Sequence, residues 1–190
     1  SFARSTLCHG VFRGPVNSFR ILKLATDRYP DATMAIAAHH SHSAGLLIYR
    51  RRGAQLEALL ARPGGPWWRN RDKGAWQIPK GKVEPDEDPQ ATAFREAQEE
   101  LGIALTGDAI PLGIVRQTGG KRVAVWALEQ EVDPAAVRSN QFKLEWPPKS
   151  GKISSFPEIE EARWFGLAEA RSMILPSQRE LLDALEAQAR

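Results

Sequence analysis

Two nearly unbroken apolar stretches, Ala44–Arg50 and Leu56–Arg62, flank the tripeptide Arg51-Arg52-Gly53. Runs of this length on either side of a turn signal predict a β-hairpin with buried faces. Leu112–Gln117 and Arg122–Gln130 read as further strands, joined through Thr118-Gly119-Gly120-Lys121, and Arg163–Phe165 as a short one. Between these segments the period changes from two to that of a helix. Ala93, Phe94, Ala97 and Leu101 recur at three- and four-residue spacing and make one apolar stripe. Asp88 can cap the free N–H groups at the start of that helix, and Pro89 suits its first position. Gly102 is its natural stop. Two more helices are expected near Leu167–Ile174 and Ser177–Ala189, divided by Pro176. The order suits an α/β chain with a mixed sheet between helices.

The polar side of the first helix carries candidate chemistry. Glu96, Glu99 and Glu100 fall on a face beside the apolar stripe, where like charges three and four residues apart repel. They sit in the C-terminal half of the helix, so the helix dipole adds to the cost. A cation should offset this. An all-oxygen set with several carboxylates suits a hard divalent ion such as Mg²⁺, with Mn²⁺ as an alternative.

From Gly81 to Ile103 the chain reads GKVEPDEDPQATAFREAQEELGI. This segment resembles the signature of the Nudix hydrolases, G-x5-E-x7-R-E-U-x-E-E-x-G-U with U aliphatic. Gly81, Glu87, Arg95, Glu96, Glu99, Glu100 and Gly102 fill the fixed positions, and Ala97 and Ile103 the aliphatic ones. The resemblance implies an α/β/α sandwich and metal-dependent hydrolysis of a phosphoanhydride in a nucleoside diphosphate linked to another group. It implies that Glu96, Glu99 and Glu100 ligate metal, with the Gly81 carbonyl as a further ligand, and that Arg95 holds Glu87 in place. A base must also take a proton from water. One of Glu99 and Glu100 is the first candidate, and Glu100 ranks above Glu158, Glu160 and Glu161, which precede the short strand at Arg163.

Substrate choice has to come from outside that segment. Trp76-Gln77-Ile78-Pro79-Lys80-Gly81 resembles the approach to the motif in diadenosine polyphosphate hydrolases and, less closely, in RNA 5′-end pyrophosphohydrolases. Lys80 or Lys82 could meet a phosphate chain as a point charge. In the loop Pro63–Arg69, Trp67 and Trp68 are adjacent; one is expected to cover the core edge while the other, Trp68, stacks on a nucleobase. The Leu144–Lys152 loop is a second candidate wall, with Trp146 for a base and Lys149 or Lys152 for phosphate. Trp126, mid-strand, is expected in the core. The expected substrates are dinucleoside polyphosphates, then nucleoside triphosphates. RNA 5′ ends, ADP-ribose, sugar nucleotides and a non-catalytic nucleotide sensor are the alternatives.

Composition narrows the setting. The 190 residues are 42% apolar and 26% charged, enough for one domain with a sizeable core. The one cysteine, Cys8, excludes an internal disulfide, and no zinc-ligand spacing or membrane-length apolar run occurs. These features point to a cytoplasmic protein without a membrane partner. His39, His40 and His42 are read as a flexible approach to the first strand. The net charge of +3 resides in residues 1–43, where Arg4, Arg13, Arg20, Lys23 and Arg28 outnumber Asp27 and Asp31. The remainder, residues 44–190, is the expected catalytic domain and is balanced, which argues against a duplex-binding surface. Residues 1–43 read as a flexible leader, of which 1–33 are expected to be dispensable for catalysis, with Met34 as an alternative natural start.

Overall fold

The computed structural model describes residues 42–117 and 119–189. Most of the expected leader, including Cys8, Met34, His39 and His40, lies outside the described residues. A sheet runs in the order β4-β5-β1-β2-β8, with β3 paired to β1. Its members are β1 (Ser43–Arg52), β2 (Gln55–Pro63), β3 (Lys80–Lys82), β4 (Ala109–Arg116), β5 (Arg122–Glu129) and β8 (Ile159–Gly166). β1 and β5 are parallel, while β1–β2, β1–β3, β2–β8 and β4–β5 are antiparallel.

Side chains alternate across the sheet, so each strand feeds two cores. Ala44, Leu46, Ile48, Ala124, Trp126 and Leu128 pack under helix α1 (Pro89–Leu101) through Ala93, Ala97 and Leu101. Leu47, Tyr49, Val123 and Val125 face the other way, onto α2 (Leu167–Met173) and α3 (Arg179–Gln188) through Met173, Leu181 and Leu185. The expected α/β/α sandwich is therefore the observed architecture, and Trp126 is a core residue, 5% exposed.

The local signals for α1 are realised atom by atom. Asp88 Oδ1 accepts from Ala91 N at 2.9 Å, and Gly102 closes the helix with φ 65° and its N–H on Gln98 O. Other boundaries shift. Arg51 and Arg52 belong to β1, and the hairpin turn is Gly53-Ala54, between Arg52 and its register partner Gln55. The last strand is longer than Arg163–Phe165: β8 begins at Ile159, so Glu160 and Glu161 lie within it. Its charged residues hide it from an apolar-run criterion, since it has one face at the surface. The segment expected as a loop at Leu144–Lys152 is the connection of a separate hairpin, β6 (Gln141–Glu145) with β7 (Ile153–Pro157); only Leu144 and Glu145 of it belong to a strand. Ser177 and Gln178 form part of a 3-10 turn (Pro176–Gln178) ahead of α3.

Candidate active site

Helix α1 lies across β1, and β3 pairs with β1 so that Ala44 is opposite Gly81. This register sets the backbone of Gly81 directly against Glu96. A Cβ built on Gly81 would fall 1.8 Å from the Glu96 carboxyl carbon, so glycine lets that carboxyl lie against the strand and any larger residue would push it away.

Arg95 organises the outer edge of the helix. Its Nε donates to Glu87 Oε1 at 2.8 Å and its Nη2 to Glu87 Oε2 at 3.0 Å, a two-point contact. Its Nη1 donates to Glu96 Oε1 at 3.0 Å and Glu99 Oε2 at 3.2 Å. The Arg95 bonds hold the Glu87 carboxyl down at about 2. Glu100, on the inner edge, is in the opposite condition. Burial pushes its carboxyl up to about 7, with Lys80 acting against the shift and Glu96 and Glu158 adding to it. Burial also lowers the Lys80 ammonium, against the attraction of Glu100 and Glu96.

Glu96, Glu99 and Glu100 open onto a cavity of about 410 Å³. Its opposite wall comes from distant segments: Gly64 and Trp68 after β2, Gln77 before β3, Asn140 and Phe142 at the start of β6, and Glu158 between β7 and β8. Backbone bonds fasten these pieces together. Arg138 N donates to Leu101 O at 2.8 Å, Glu158 N to Asn140 O at 2.8 Å and Gly64 N to Glu158 O at 3.0 Å. Asn140 Nδ2 donates to Glu99 O at 3.2 Å, tying the hairpin base to the helix that carries the carboxylates. Gly64 has no room for a side chain, because a Cβ would meet Pro157 O at 2.0 Å.

Of the other residues singled out in the sequence, Trp68 lines the cavity. Trp67 does not cover the core edge; it is 60% exposed and packs edge-on against Trp146, ring centroids 5.0 Å apart. Trp146 and Lys149 are thus placed beside the cavity rather than among the residues that line it. Lys82 is exposed and, among the described residues, reaches only Glu84, at 3.4 Å. Glu161 pairs with Arg62 at 3.1 Å, which leaves Glu158 as the cavity carboxylate of its group. Asn140 and Phe142 were not anticipated. The alternation Gln141-Phe142-Lys143-Leu144 is a strand signal that could have exposed Phe142, whereas nothing local marks Asn140.

The donor set is all oxygen, with a half-buried carboxyl, Glu100, that has no guanidinium partner among the described residues and a glycine backbone against Glu96; this suits a hard divalent cation. Among the described residues no three acidic, histidine or cysteine side chains already converge at ligand distance. Glu96 and Glu99 instead share Arg95 Nη1, so holding an ion requires their carboxylates to turn from it.

The NUDIX domain model matches residues 39–185. The chain belongs to the Nudix hydrolase family. It is accordingly an enzyme of phosphoanhydride hydrolysis. This Nudix chain is 27% identical over 160 residues to an RNA pyrophosphohydrolase of Acidiphilium cryptum, covering 80% of this chain and 92% of the relative. It is 33% identical over 129 residues to an RNA pyrophosphohydrolase of Marinomonas sp., covering 63% and 71%. Among solved structures, a C. elegans Ap4A hydrolase complex aligns with TM-score 0.54 at 23% identity, over 77% of this chain and 97% of that one. That likeness shows the fold. No helix among the described residues is long and apolar enough to cross a membrane.

Proposed function

We propose that this Nudix hydrolase is a divalent-metal-dependent pyrophosphohydrolase acting on the 5′-polyphosphate of a nucleotide, with the triphosphorylated 5′ end of RNA as its preferred substrate. The observation that carries the reading is a cavity in which Glu96, Glu99 and Glu100 of the helix face Trp68, Phe142 and Glu158. Carboxylates on the helix wall suit a metal ion that would in turn bind phosphate, and the aromatic rings opposite suit a base. The curated relatives, which match over most of their length, favour RNA over the dinucleoside polyphosphates ranked first on sequence. The Trp76–Gly81 approach keeps those dinucleotides as the second reading.

Glu96, Glu99 and Glu100, with the Gly81 carbonyl, would hold the ion, which when bound supplies charge neutralisation at the anhydride oxygens and a more acidic water. Arg95 fixes Glu87 and thereby the outer edge of the set. Glu100 is the first candidate to accept the water proton, because its half-buried carboxyl lines the cavity without a guanidinium partner among the described residues; Glu158, facing it across the cavity, is the second. Trp68 and Phe142 would take the base, and Lys80 the phosphate chain.

The test is a comparison of kcat/KM on 5′-triphosphorylated RNA, diadenosine polyphosphates, nucleoside triphosphates and ADP-ribose. Pyrophosphate or phosphate released fastest from RNA supports the reading. Faster cleavage of diadenosine polyphosphates moves the second reading to first, and binding without turnover on every substrate refutes hydrolysis.

A further inference from the structure

The even distribution of charge along residues 44–190 conceals a cluster that strand register creates. At the end of the sheet where β1 begins, Val83 N donates to His42 O and His42 N to Arg122 O, and Arg122 is opposite Arg116. One residue in, Lys82 is opposite Ser43, which is opposite Val123. Four adjacent strand ends, β3-β1-β5-β4, therefore present Lys82, His42, Arg122 and Arg116 along one rim, and Lys121 follows in the turn before β5. Val83, Ala124 and Ile114 pack under α1, so alternation sets His42, Arg122 and Arg116 toward the α1 face, with Lys82 and Lys121 toward the other.

Arg116 and Arg122 are like charges directly opposite on an antiparallel pair, an arrangement that destabilises a sheet. Neither they nor Lys121 has an acidic partner among the described residues. Among the described residues Lys82 has only the exposed contact to Glu84, which leaves its charge available. Three strand spacings of about 4.8 Å make the rim on the order of 14 Å long. It starts one residue from Gly81 and leads away from the cavity.

We propose that this rim is a track for the phosphodiester backbone of single-stranded RNA whose 5′ end occupies the cavity. The inference rests on the RNA-end reading above for its connection to the cavity. Cations spaced along a rim beside an anhydride site fit a flexible polyanion, and contact with phosphates offsets the repulsion between Arg116 and Arg122.

The experiment measures binding of the full chain to 5′-monophosphorylated single-stranded RNA, a dinucleotide and a dodecamer, with metal chelated, between about 50 and 200 mM salt. The dodecamer should bind more tightly than the dinucleotide, with a steeper salt dependence. Arg116→Gln/Arg122→Gln should flatten the dodecamer's log–log slope by about 1.4, the loss of two phosphate contacts at about 0.7 each. Arg116→Lys/Arg122→Lys should keep the slope and the wild-type Tm, Arg116→Gln/Arg122→Gln should melt no lower than the wild type because a like-charge pair is removed, and both variants should retain wild-type turnover of nucleoside triphosphates if those are substrates. An unchanged dodecamer slope in the glutamine variant overturns the track. Failure to hydrolyse triphosphorylated RNA, with the rim-dependent slope intact, overturns the RNA-end reading instead and leaves the rim a polynucleotide-binding surface.

Discussion

The two walls of the cavity are built in different ways. One is a single helix and the strand beside it, in which Gly81, Glu87, Arg95, Glu96, Glu99 and Glu100 fall within twenty residues. The other collects Gly64, Trp68, Gln77, Asn140, Phe142 and Glu158 from segments separated by up to about ninety residues, joined by a few backbone bonds. On the proposed reading the helix wall acts on phosphates, and the assembled wall, Glu158 apart, recognises a base. Within such a division the chemistry is fixed by local spacing and substrate choice by long-range assembly. Loss of a helix-wall group should therefore lower kcat, and loss of an assembled-wall group should raise KM.

The largest expected effect is on the helix wall. Glu100→Gln should fold normally and lower turnover by roughly 10²–10⁴, the scale for a general base or an equivalent contact. Near-normal turnover would transfer the base role to Glu158. Next is the pH dependence of the chelated protein's stability. Glu100 has a folded value of about 7 against an ordinary 4.5, so the folded state binds the proton more strongly. Its contribution is fully present below about 4.5 and lost as pH rises through about 7, on the order of 3 kcal/mol at most. Denaturant melts with chelator should show this fall and Glu100→Gln should remove it. Glu87 has the opposite sign: its contribution is present above about 4.5 and lost as pH falls through about 2.

A smaller effect, about 10–100-fold in activity or metal affinity, is expected for Arg95→Lys. Lysine keeps the charge but cannot make the two-point contact to Glu87 while also reaching Glu96 and Glu99. A Mg²⁺ titration of turnover reads the loss, and wild-type behaviour would show that the contact to Glu87 is not needed. The smallest effect is on the assembled wall. Trp68→Ala should raise KM by about 5–150-fold, equivalent to 1–3 kcal/mol of base stacking, with kcat little changed. A fall in kcat with KM unchanged would break the division between the walls.

The same contrast explains what was legible in the sequence. Helix α1 was readable to its caps because Asp88, Pro89 and Gly102 act on backbone groups within a few residues. The carboxylate set was readable because a helix converts spacing into neighbourhood. The five principal sheet strands were found, with ends displaced where Arg51, Arg52, Glu160 and Glu161 extend strands past their apolar centres. The β6–β7 hairpin was missed since charged residues and prolines interrupt it, and with it Phe142 and Asn140. Trp67 and Trp146 were both noted, but their contact across nearly eighty residues has no local signature. The cationic rim is the clearest case: Arg116, Arg122 and Lys82 become neighbours only through strand register, so a balanced tally of charge along the chain could not show it.

The most direct test of the central claim is turnover of the full chain on 5′-triphosphorylated RNA as Mg²⁺ is raised from a chelated solution, beside Glu99→Gln under the same conditions. Activity that rises with Mg²⁺, vanishes with chelator and stays at the blank in Glu99→Gln is the predicted result. Turnover that survives chelation, or a Glu99→Gln variant that matches the wild type at every Mg²⁺ concentration, would contradict a metal site on the helix wall.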